Sequence, residues 1–275
     1  MPASSMARLP SVAGVDVLVT GSGRGLGRGV AQAMATAGAR VWLVADVPEE
    51  LEWTASDIRA AGGEAHILVA DLGREDERNG LIRTLRREAC RLRVIVNNAG
   101  VLERQPVASM DAAHWRRIMS VNLEAPVFLT RDLLPLLGEE GGSVINVSSR
   151  AGTGAFARQA AYCASKFGME AFTRCLALEL AGLPVSANTV TPGLPIKPTS
   201  LTQRDAERAD AATRAGWRDP VRLGPAFLFL AGLRGQISGC RFDAWTLTRA
   251  LEQWGTQGVM NRIGEIAEYT PEAVG

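Results

Sequence analysis

A glycine-rich turn between a predicted strand and a predicted helix constrains the fold of this chain more than any other feature. Asp16–Thr20 is a short, apolar, β-branched run, which is typical of a buried parallel strand. The turn T-G-S-G-R-G-L-G follows over Thr20–Gly27, and a helical pattern then runs through Val30 and Met34 to Gly38. Because such a turn places backbone N–H groups and a helix N-terminus around an anion, we predict a phosphate-binding edge here.

The alternation of apolar strands and amphipathic helices continues along the chain. The later predicted strands are Arg40–Ala45, Ala65–Ala70, Val94–Val96, Gly142–Val147, Ser186–Val190 and Gly239–Phe242. The other predicted helices are Pro48–Ala61, Arg74–Cys90, Asp111–Leu137, Ala160–Leu180 and Pro220–Ala231. This order predicts a single α/β domain, a doubly wound Rossmann-type fold with a parallel sheet of about seven strands and ligands at its carboxyl edge.

A second group of polar residues surrounds the start of the helix that follows the fifth strand. Ser149 lies just after that strand, and Tyr162 and Lys166 project from one helix face because they are four residues apart. A lysine cation lowers the pKa of a nearby phenol, normally about 10, by about one to three units, which makes a tyrosine usable as a general acid or base. The chain has two tyrosines and two lysines, so we favour a functional pair over a chance pair on a helix surface.

Taken together, these motifs resemble those of the short-chain dehydrogenase/reductase family, in its compact branch. The glycine turn fits T-G-x-x-x-G-x-G at Thr20, Gly21, Gly25 and Gly27, and it does not fit G-x-G-x-x-G. Ser149 with Tyr162 and Lys166 fits the catalytic serine and the Y-x-x-x-K of the family. The other matches are Asp71-Leu72, N-N-A-G at Asn97–Gly100, Asn122 and Pro192-Gly193, and the resemblance spans about Val15 to Asp243.

The resemblance implies an NAD(P)-dependent oxidoreductase that transfers a hydride between nicotinamide and a small-molecule alcohol/carbonyl substrate. Ser149 would hydrogen-bond the carbonyl oxygen, Tyr162 would transfer the proton, and Asn122 would support a proton-relay water. Lys166 would lower the tyrosine pKa and hold the nicotinamide ribose. The implied cofactor contacts are Thr20, Gly21, Arg24, Gly25, Leu26, Gly27, Asp46, Asp71, Leu72, Asn98, Ala99, Gly100, Tyr162, Lys166, Pro192 and Gly193.

The residue after the second strand bears on the choice between NAD and NADP. Asp46 stands there and can accept hydrogen bonds from both adenosine ribose hydroxyls, and its charge would repel a 2′-phosphate. It also suits the N-cap of the helix that starts at Pro48, and the two roles are compatible. Arg24 occupies a position that is basic in some NADP-preferring relatives. We predict NAD in preference to NADP.

Two other functions remain open at this point. An epimerase or dehydratase of the longer branch of the same superfamily also uses Y-x-x-x-K, although the compact length and the glycine spacing argue against it. A non-enzymatic protein that binds nicotinamide as a redox sensor would tend to lose Ser149, Tyr162 or Lys166, and all three are present.

Charge and composition exclude several classes of partner. The formal net charge is +1, so no broad field attracts nucleic acid or an anionic membrane. The four cysteines form no C-x-x-C pair and the two histidines stand far apart, so no metal site is expected. No apolar run is long enough to span a membrane, and residues 1–14 lack the apolar region of a secretory signal. We expect a cytoplasmic protein.

The ends of the predicted domain raise two further expectations. Residues 1–245 form the oxidoreductase domain, residues 194–217 a loop over the substrate, and residues 246–275 a helical extension that packs on the domain or on a neighbouring subunit. The extension has an amphipathic pattern at Leu247, Ala250, Leu251 and Trp254, and Gly255 suits the end of its helix. The helices Asp111–Leu137 and Ala160–Leu180 carry surplus apolar residues, Phe167, Phe172 and Leu176 among them, which predicts a homodimer or homotetramer.

Overall fold

The computed structural model describes residues 11–89, 91–138, 140–196, 208–210 and 216–268 of the chain. The strands are β1 (Asp16–Thr20), β2 (Arg40–Ala45), β3 (Glu64–Val69), β4 (Leu92–Asn97), β5 (Gly142–Val147), β6 (Val185–Thr191) and β7 (Arg241–Asp243). The α-helices are α1 (Gly25–Thr36), α2 (Pro48–Ala60), α3 (Glu75–Glu88), α4 (Ala112–Met119), α5 (Ala125–Leu133), α6 (Ala160–Glu179), α7 (Gly224–Ala231), α8 (Ala244–Met260) and α9 (Ile263–Ile266).

The seven strands form one parallel sheet in the order β3-β2-β1-β4-β5-β6-β7. The chain moves outward from β1 to β3 and then returns to the other side of β1 with β4. A crevice opens where this direction changes, outside the carboxyl ends of β1 and β4, because the helices that follow these two strands pack on opposite faces of the sheet. The predicted doubly wound Rossmann-type fold is confirmed.

Two apolar cores cover the two faces of the sheet. On one face α1, α2, α7 and α8 contribute buried side chains such as Met34, Ile58, Phe227 and Leu247. On the other face α3, α5 and α6 contribute Leu85, Leu129 and Leu176. Because both faces are covered, the strands read in the sequence as nearly continuous apolar runs.

A buried hydrogen-bond network fixes the two central strands to the helices behind them. Asn97 at the end of β4 donates to Asn146 Oδ1 of β5 at 2.8 Å and to Thr130 Oγ1 of α5 at 3.0 Å. Asn146 in turn donates to Thr173 Oγ1 of α6 at 2.8 Å. Since buried polar side chains are costly unless they are paired, this network specifies how β4 and β5 sit against α5 and α6.

The single helix predicted over Asp111–Leu137 is wrong. The structure has α4, a π-helical turn at Ser120–Glu124, then α5 and a 3₁₀ turn at Leu134–Leu137. Proline provides the physical reason, because Pro126 has no N–H to give to the carbonyl four residues earlier, which is that of Asn122. Asn122 therefore lies in a local break of the helix, a feature that often marks functional positions.

Two predicted elements near the C-terminal end of the sheet have different bounds. The strand expected at Gly239–Phe242 is β7, which begins only at Arg241, because Gly239 has a positive φ of 77° that interrupts an extended strand. The helix expected over Pro220–Ala231 opens with a 3₁₀ turn at Pro220–Leu223 before α7 begins.

The C-terminal helix begins earlier than the sequence pattern suggests, at Ala244, directly after β7. Helix α8 spans Ala244–Met260, but Gly255 within it is non-helical, with a φ of 65° and a ψ of 179°. The first helical part therefore ends at Gly255, as the sequence predicts, and a second part follows after this kink. Residues 197–207 and 211–215 of the predicted substrate loop, and the tail from Tyr269 onward, lie outside the described residues.

In the part of the chain that the structure describes, no helix is long and apolar enough to cross a bilayer. The same residues include no group of three or more His, Cys, Asp or Glu side chains that could hold a metal ion.

Candidate active site

The crevice between β1 and β4 is held together by hydrogen bonds between the two strand ends. Thr20 Oγ1 accepts from the N–H groups of Asn98 and Ala99, each at 3.0 Å. The Asn98 side chain donates to the carbonyl oxygens of Thr20 at 2.8 Å and of Gly21 at 3.1 Å. These residues thus join the glycine turn to the N-N-A-G segment and fix the floor of the crevice.

Two of the motif glycines are required by close backbone approach. Gly21 has a φ of 64°, and a Cβ added there would lie 2.8 Å from Ala99 Cα. A Cβ on Gly27 would lie 2.1 Å from the carbonyl oxygen of Gly21. The turn can therefore fold tightly against β4 and start α1 only without these side chains, which leaves backbone N–H groups at a helix N-terminus available for a diphosphate. The glycine turn and the start of α1 therefore fit the diphosphate of a dinucleotide.

The sequence predicted most of the residues that line the cavity above the turn. Those predicted are Gly21, Arg24, Asp46, Asp71, Leu72, Asn98, Ala99 and Gly100. The side chain of Leu26 is instead buried in the core, so only its backbone can take part in cofactor binding. Glu50, Arg117 and Val121 also line the cavity, and sequence reasoning missed them. A signal was available in the sequence for two of them. Arg117 and Val121 are four residues apart in a predicted helix, and Val121 directly precedes Asn122.

Carboxylates engage both arginines of this cavity. Arg24 Nη1 lies 3.0 Å from Glu50 Oε1. Arg117 binds the two oxygens of Asp71 at 2.7 and 3.0 Å, and its Nη2 lies 3.9 Å from Asp46 Oδ2. Burial alone would raise the pKa of Asp71, but the hydrogen bonds from Arg117 and from the Gly73 N–H lower it below its usual value. The cavity is therefore lined by three carboxylates and two guanidinium groups, and Asp71 stays ionised.

Ser149 lies beyond the carboxyl end of β5, two residues after the last strand residue, Val147. Its Oγ accepts from the Ala151 N–H at 3.1 Å and caps the 3₁₀ turn Arg150–Gly152. The same hydroxyl interacts with the Tyr162 phenol, across the gap between β5 and α6, and this interaction lowers the pKa of the phenol. The structure thus brings the predicted serine and tyrosine together.

Lys166 is buried one helical turn after Tyr162. Its Nζ lies 5.8 Å from the centre of the Tyr162 ring and donates to the Val147 carbonyl at 2.8 Å. Burial lowers the pKa of Lys166 to about 8, although the nearby Glu170 carboxylate opposes this. The ammonium therefore stays largely protonated at neutral pH and titrates just above it.

Burial is also the largest influence on the pKa of Tyr162. It raises the pKa of the phenol above the usual value, and the interaction with Ser149 opposes the shift. The prediction that Lys166 brings this pKa down is not met, because desolvation of the phenolate outweighs the other effects. Tyr162 is consequently a phenol, a proton donor, at neutral pH.

Asn122 is fully buried behind this group. Its side chain accepts from the Val101 N–H at 2.8 Å and donates to the Val101 carbonyl at 2.9 Å and to Ser165 Oγ at 3.2 Å. A Cβ on Gly100 would lie 3.5 Å from Asn122 Oδ1 and 3.8 Å from Lys166 Nζ. Asn122, Lys166 and the N-N-A-G segment therefore converge on one point beside the crevice.

Pro192 and Gly193 follow β6 and line a second cavity, together with Ser149. Gly193 has a φ of 69°, and a Cβ there would lie 2.2 Å from the Asp243 carboxylate. Leu194 and Glu268 border the same cavity. Ser149 thus faces a space next to the dinucleotide crevice in which a substrate could lie.

Comparisons with known proteins agree with this geometry. A family model described as short chain dehydrogenase matches residues 16–210. Cyclopentanol dehydrogenase of Comamonas sp. is 35% identical over 223 residues, which cover 78% of this chain and 88% of that protein. The rhamnolipids biosynthesis 3-oxoacyl-(acyl-carrier-protein) reductase of Pseudomonas aeruginosa is 34% identical over 236 residues, 82% of this chain and 92% of that protein.

Solved structures show the same similarity in three dimensions. A short chain dehydrogenase from Shigella flexneri superposes with a TM-score of 0.73 at 29% identity, covering 85% of this chain and 91% of that one. A metagenomic short-chain oxidoreductase in complex with NADP superposes with a TM-score of 0.65 at 36% identity, covering 68% and 87%.

Proposed function

The chain belongs to the short-chain dehydrogenase/reductase family and is an NAD(P)-dependent oxidoreductase acting on CH–OH groups, and we propose that Ser149, Tyr162 and Lys166 are its catalytic residues. The observation that carries this assignment is the contact of Ser149 with Tyr162 beside the buried Lys166 and the dinucleotide crevice. The bound nicotinamide supplies or accepts the hydride.

The carbonyl oxygen of the substrate accepts hydrogen bonds from the hydroxyls of Ser149 and Tyr162. As negative charge develops on this oxygen, Tyr162 donates its proton, and the two hydroxyls stabilise the charge before transfer is complete. The raised pKa of Tyr162 suits it to this direction at neutral pH. In the oxidation of an alcohol the same groups act in reverse, so alkaline conditions favour that direction.

Lys166 and Asn122 assist proton transfer by Tyr162. The Lys166 ammonium binds the nicotinamide ribose and supplies a positive charge near the phenolate left after proton transfer. Asn122 holds Val101 and Ser165 in place, and its backbone carbonyl, to which Pro126 can donate no hydrogen bond, supports a water that resupplies the proton. The other cofactor contacts are the backbone of the glycine turn and Asp71, Leu72, Asn98, Ala99, Gly100, Pro192 and Gly193.

A panel of alcohols and carbonyls assayed by nicotinamide absorbance tests the assignment. Cyclopentanol, a 3-hydroxyacyl thioester, a 3β-hydroxysteroid and gluconate cover the chemistry named for similar proteins. Oxidation is followed in alkaline buffer and the matching carbonyls are followed at neutral pH. Absence of turnover with every compound, although NADH binds, would favour the nicotinamide-sensing protein.

We propose that the cofactor is NAD, because negative charge prevails where a 2′-phosphate would lie. Asp46 is exposed beside the cavity, while Glu50 engages Arg24 and Asp71 engages Arg117. Two like charges about 4 Å apart near a surface repel by about 4 kcal/mol at an effective dielectric constant of 20. A solved structure that is similar to this chain binds NADP, so the fold itself accepts NADP. The proposed preference for NAD therefore depends on the side chains of this cavity.

We expect wild-type kcat/KM to be at least about tenfold higher with NAD than with NADP, which corresponds to about 1.4 kcal/mol. Asp46→Ala should reduce or reverse this ratio, since it removes the repulsion and the ribose contacts. The matched control is Asp76→Ala, an exposed carboxylate on α3 that pairs with Arg74. A wild-type preference for NADP would mean that Arg24 leaves Glu50 to bind the phosphate.

We also propose that the protein is a homodimer or homotetramer that pairs through α6. Phe167, Ala171 and Leu178 are exposed and lie on one stripe of this helix, at spacings of four and seven residues. Phe172 and Leu176, which the sequence also places among the surplus apolar residues, pack into the core of the same chain, and Leu176 is buried. Phe167 and Leu178 are therefore the anchors of the interface.

Light scattering should give twice or four times the 29.3 kDa mass of the chain. Phe167→Glu should reduce the assembly at micromolar concentration, because it places a charge in the apolar interface. Trp53→Glu is the matched control, since Trp53 is similarly exposed on α2 at another surface. A monomeric wild-type protein would contradict the interface.

A further inference from the structure

A buried arginine outside the assigned catalytic group contacts the segment that carries Ser149. Arg241 on β7 is 3% exposed. Its Nη2 donates to the carbonyl oxygen of Ser149 at 3.0 Å, and its Nη1 donates to Ser148 Oγ at 3.2 Å. The guanidinium therefore holds the end of β5 through two successive residues, from a strand that lies two positions away in the sheet.

Two carboxylates form ion pairs with Arg241. Glu170 of α6, also buried, forms an ion pair with Nη1 and accepts a second hydrogen bond from Thr189 at 2.9 Å. Glu268 accepts from Nε at 2.6 Å. Because a buried cation is tolerated only when its donors are met, the fork geometry of arginine explains why this residue joins four acceptors at once.

The same cluster reaches the catalytic lysine. Glu170 follows Lys166 by one helical turn, and its charge opposes the lowering of the pKa of Lys166 that burial causes. Lys166, Glu170, Arg241 and Glu268 thus form a row of alternating charges. Within this row Arg241 contacts the Ser148 side chain and the Ser149 carbonyl.

Glu268 connects the C-terminal segment to this row of charges. Its backbone N–H donates to the Arg241 carbonyl at 2.8 Å, in addition to the contact between its carboxylate and Nε. The side chain is 44% exposed and lines the cavity that Ser149 faces. The segment after α9 is thereby fixed at one wall of the space next to Ser149.

We propose that Arg241 is a positioning residue: held by Glu170 and by Glu268, it fixes the Ser149 segment so that the serine hydroxyl meets Tyr162. This role rests on the proposed function of Ser149 and Tyr162, but it can be tested without turnover. The chain has only two tyrosines, so in a Tyr269→Phe background every tyrosinate signal near 295 nm comes from Tyr162.

The tyrosine titration reads the contact between Ser149 and Tyr162 directly. The interaction with Ser149 lowers the pKa of Tyr162, and the other neighbours are Cys163, which raises it, and Lys166. Ser149→Ala in the Tyr269→Phe background should raise the pKa by about one unit, the size expected for one lost hydrogen bond. Stopped-flow pH jumps record the absorbance before alkaline unfolding begins.

Arg241→Lys is the principal variant. It keeps the charge but cannot bind four acceptors in one plane, so a shift of the Tyr162 pKa reports geometry and not lost charge. We expect a rise towards the value of Ser149→Ala. Arg249→Lys, an exposed arginine of α8, is the matched control and should leave the pKa unchanged.

Glu268→Ala is the second variant, chosen because a half-exposed carboxylate can be removed without emptying the core. Loss of a negative charge would by itself lower the pKa of Tyr162, whereas loosening of Arg241 and Ser149 raises it, so the sign separates the two effects. Glu265→Ala on α9 is the control. An unchanged pKa in Arg241→Lys, or a lowered pKa in Glu268→Ala, would overturn the positioning role, and failure of the substrate panel would leave this result intact.

Discussion

We expect Tyr162→Phe to lower kcat by about 10² to 10⁴-fold, the usual contribution of general acid–base catalysis. Only the phenolic oxygen is lost, and Phe fills the same space on α6 between Ser149 and Lys166. Because the dinucleotide crevice is built from the ends of β1, β2 and β4, NADH affinity measured by fluorescence should change less than about twofold. The measurement is turnover of the best substrate of the panel, alongside the NADH titration.

The chain provides a matched control for this substitution. Tyr269→Phe makes the same chemical change at the only other tyrosine and should keep wild-type activity. If Tyr162→Phe retained more than about a tenth of wild-type kcat, general acid–base catalysis by this residue would be excluded, since even its lower bound is about 10²-fold. Loss of NADH binding in parallel would point instead to a displaced α6.

The parts of this structure that local sequence determines could be predicted well. The bounds of β1, β2 and β5 agree with the predictions, because each is a largely apolar run that is followed by a glycine or a polar residue. The motif residues that stand at strand ends follow from the same information. Once the strands are parallel, Thr20, Asn98 and Ser149 must meet at one edge of the sheet.

Contacts between residues that are far apart in the sequence could not be predicted. Arg241 meets Glu170, 71 residues earlier, and Arg117 meets Asp71 across 46 residues. The raised pKa of Tyr162 has the same origin, because the sequence shows the nearby lysine but not the burial of the phenol. The break at Asn122 differs, since Pro126 was visible in the sequence and its missing N–H predicts the interruption of the helix.

The second large effect is expected at the C-terminus, where truncation after Trp245 should prevent folding. Truncation would remove the buried side chains of Leu247, Leu251, Val259 and Ile266, which all pack into the core on one face of the sheet. Each buried apolar side chain of this size contributes about 1.5–3 kcal/mol, so together they match the net stability of a domain, about 5–15 kcal/mol. Circular dichroism and solubility of the truncated chain measure the outcome.

Two point substitutions separate stability from function in this segment. Leu247→Ala should lower the free energy of unfolding by about 2–5 kcal/mol, measured by urea titration, while leaving KM unchanged at temperatures where the protein is folded. Trp254→Ala is the control, because Trp254 is 39% exposed and surface substitutions usually change stability by less than about 0.5 kcal/mol. A raised KM in Leu247→Ala would indicate that α8 shapes the substrate cavity as well as the core. A truncated chain that folds, assembles and turns over normally would contradict both roles, since it would have lost the helix core and the Glu268 contact to Arg241 together.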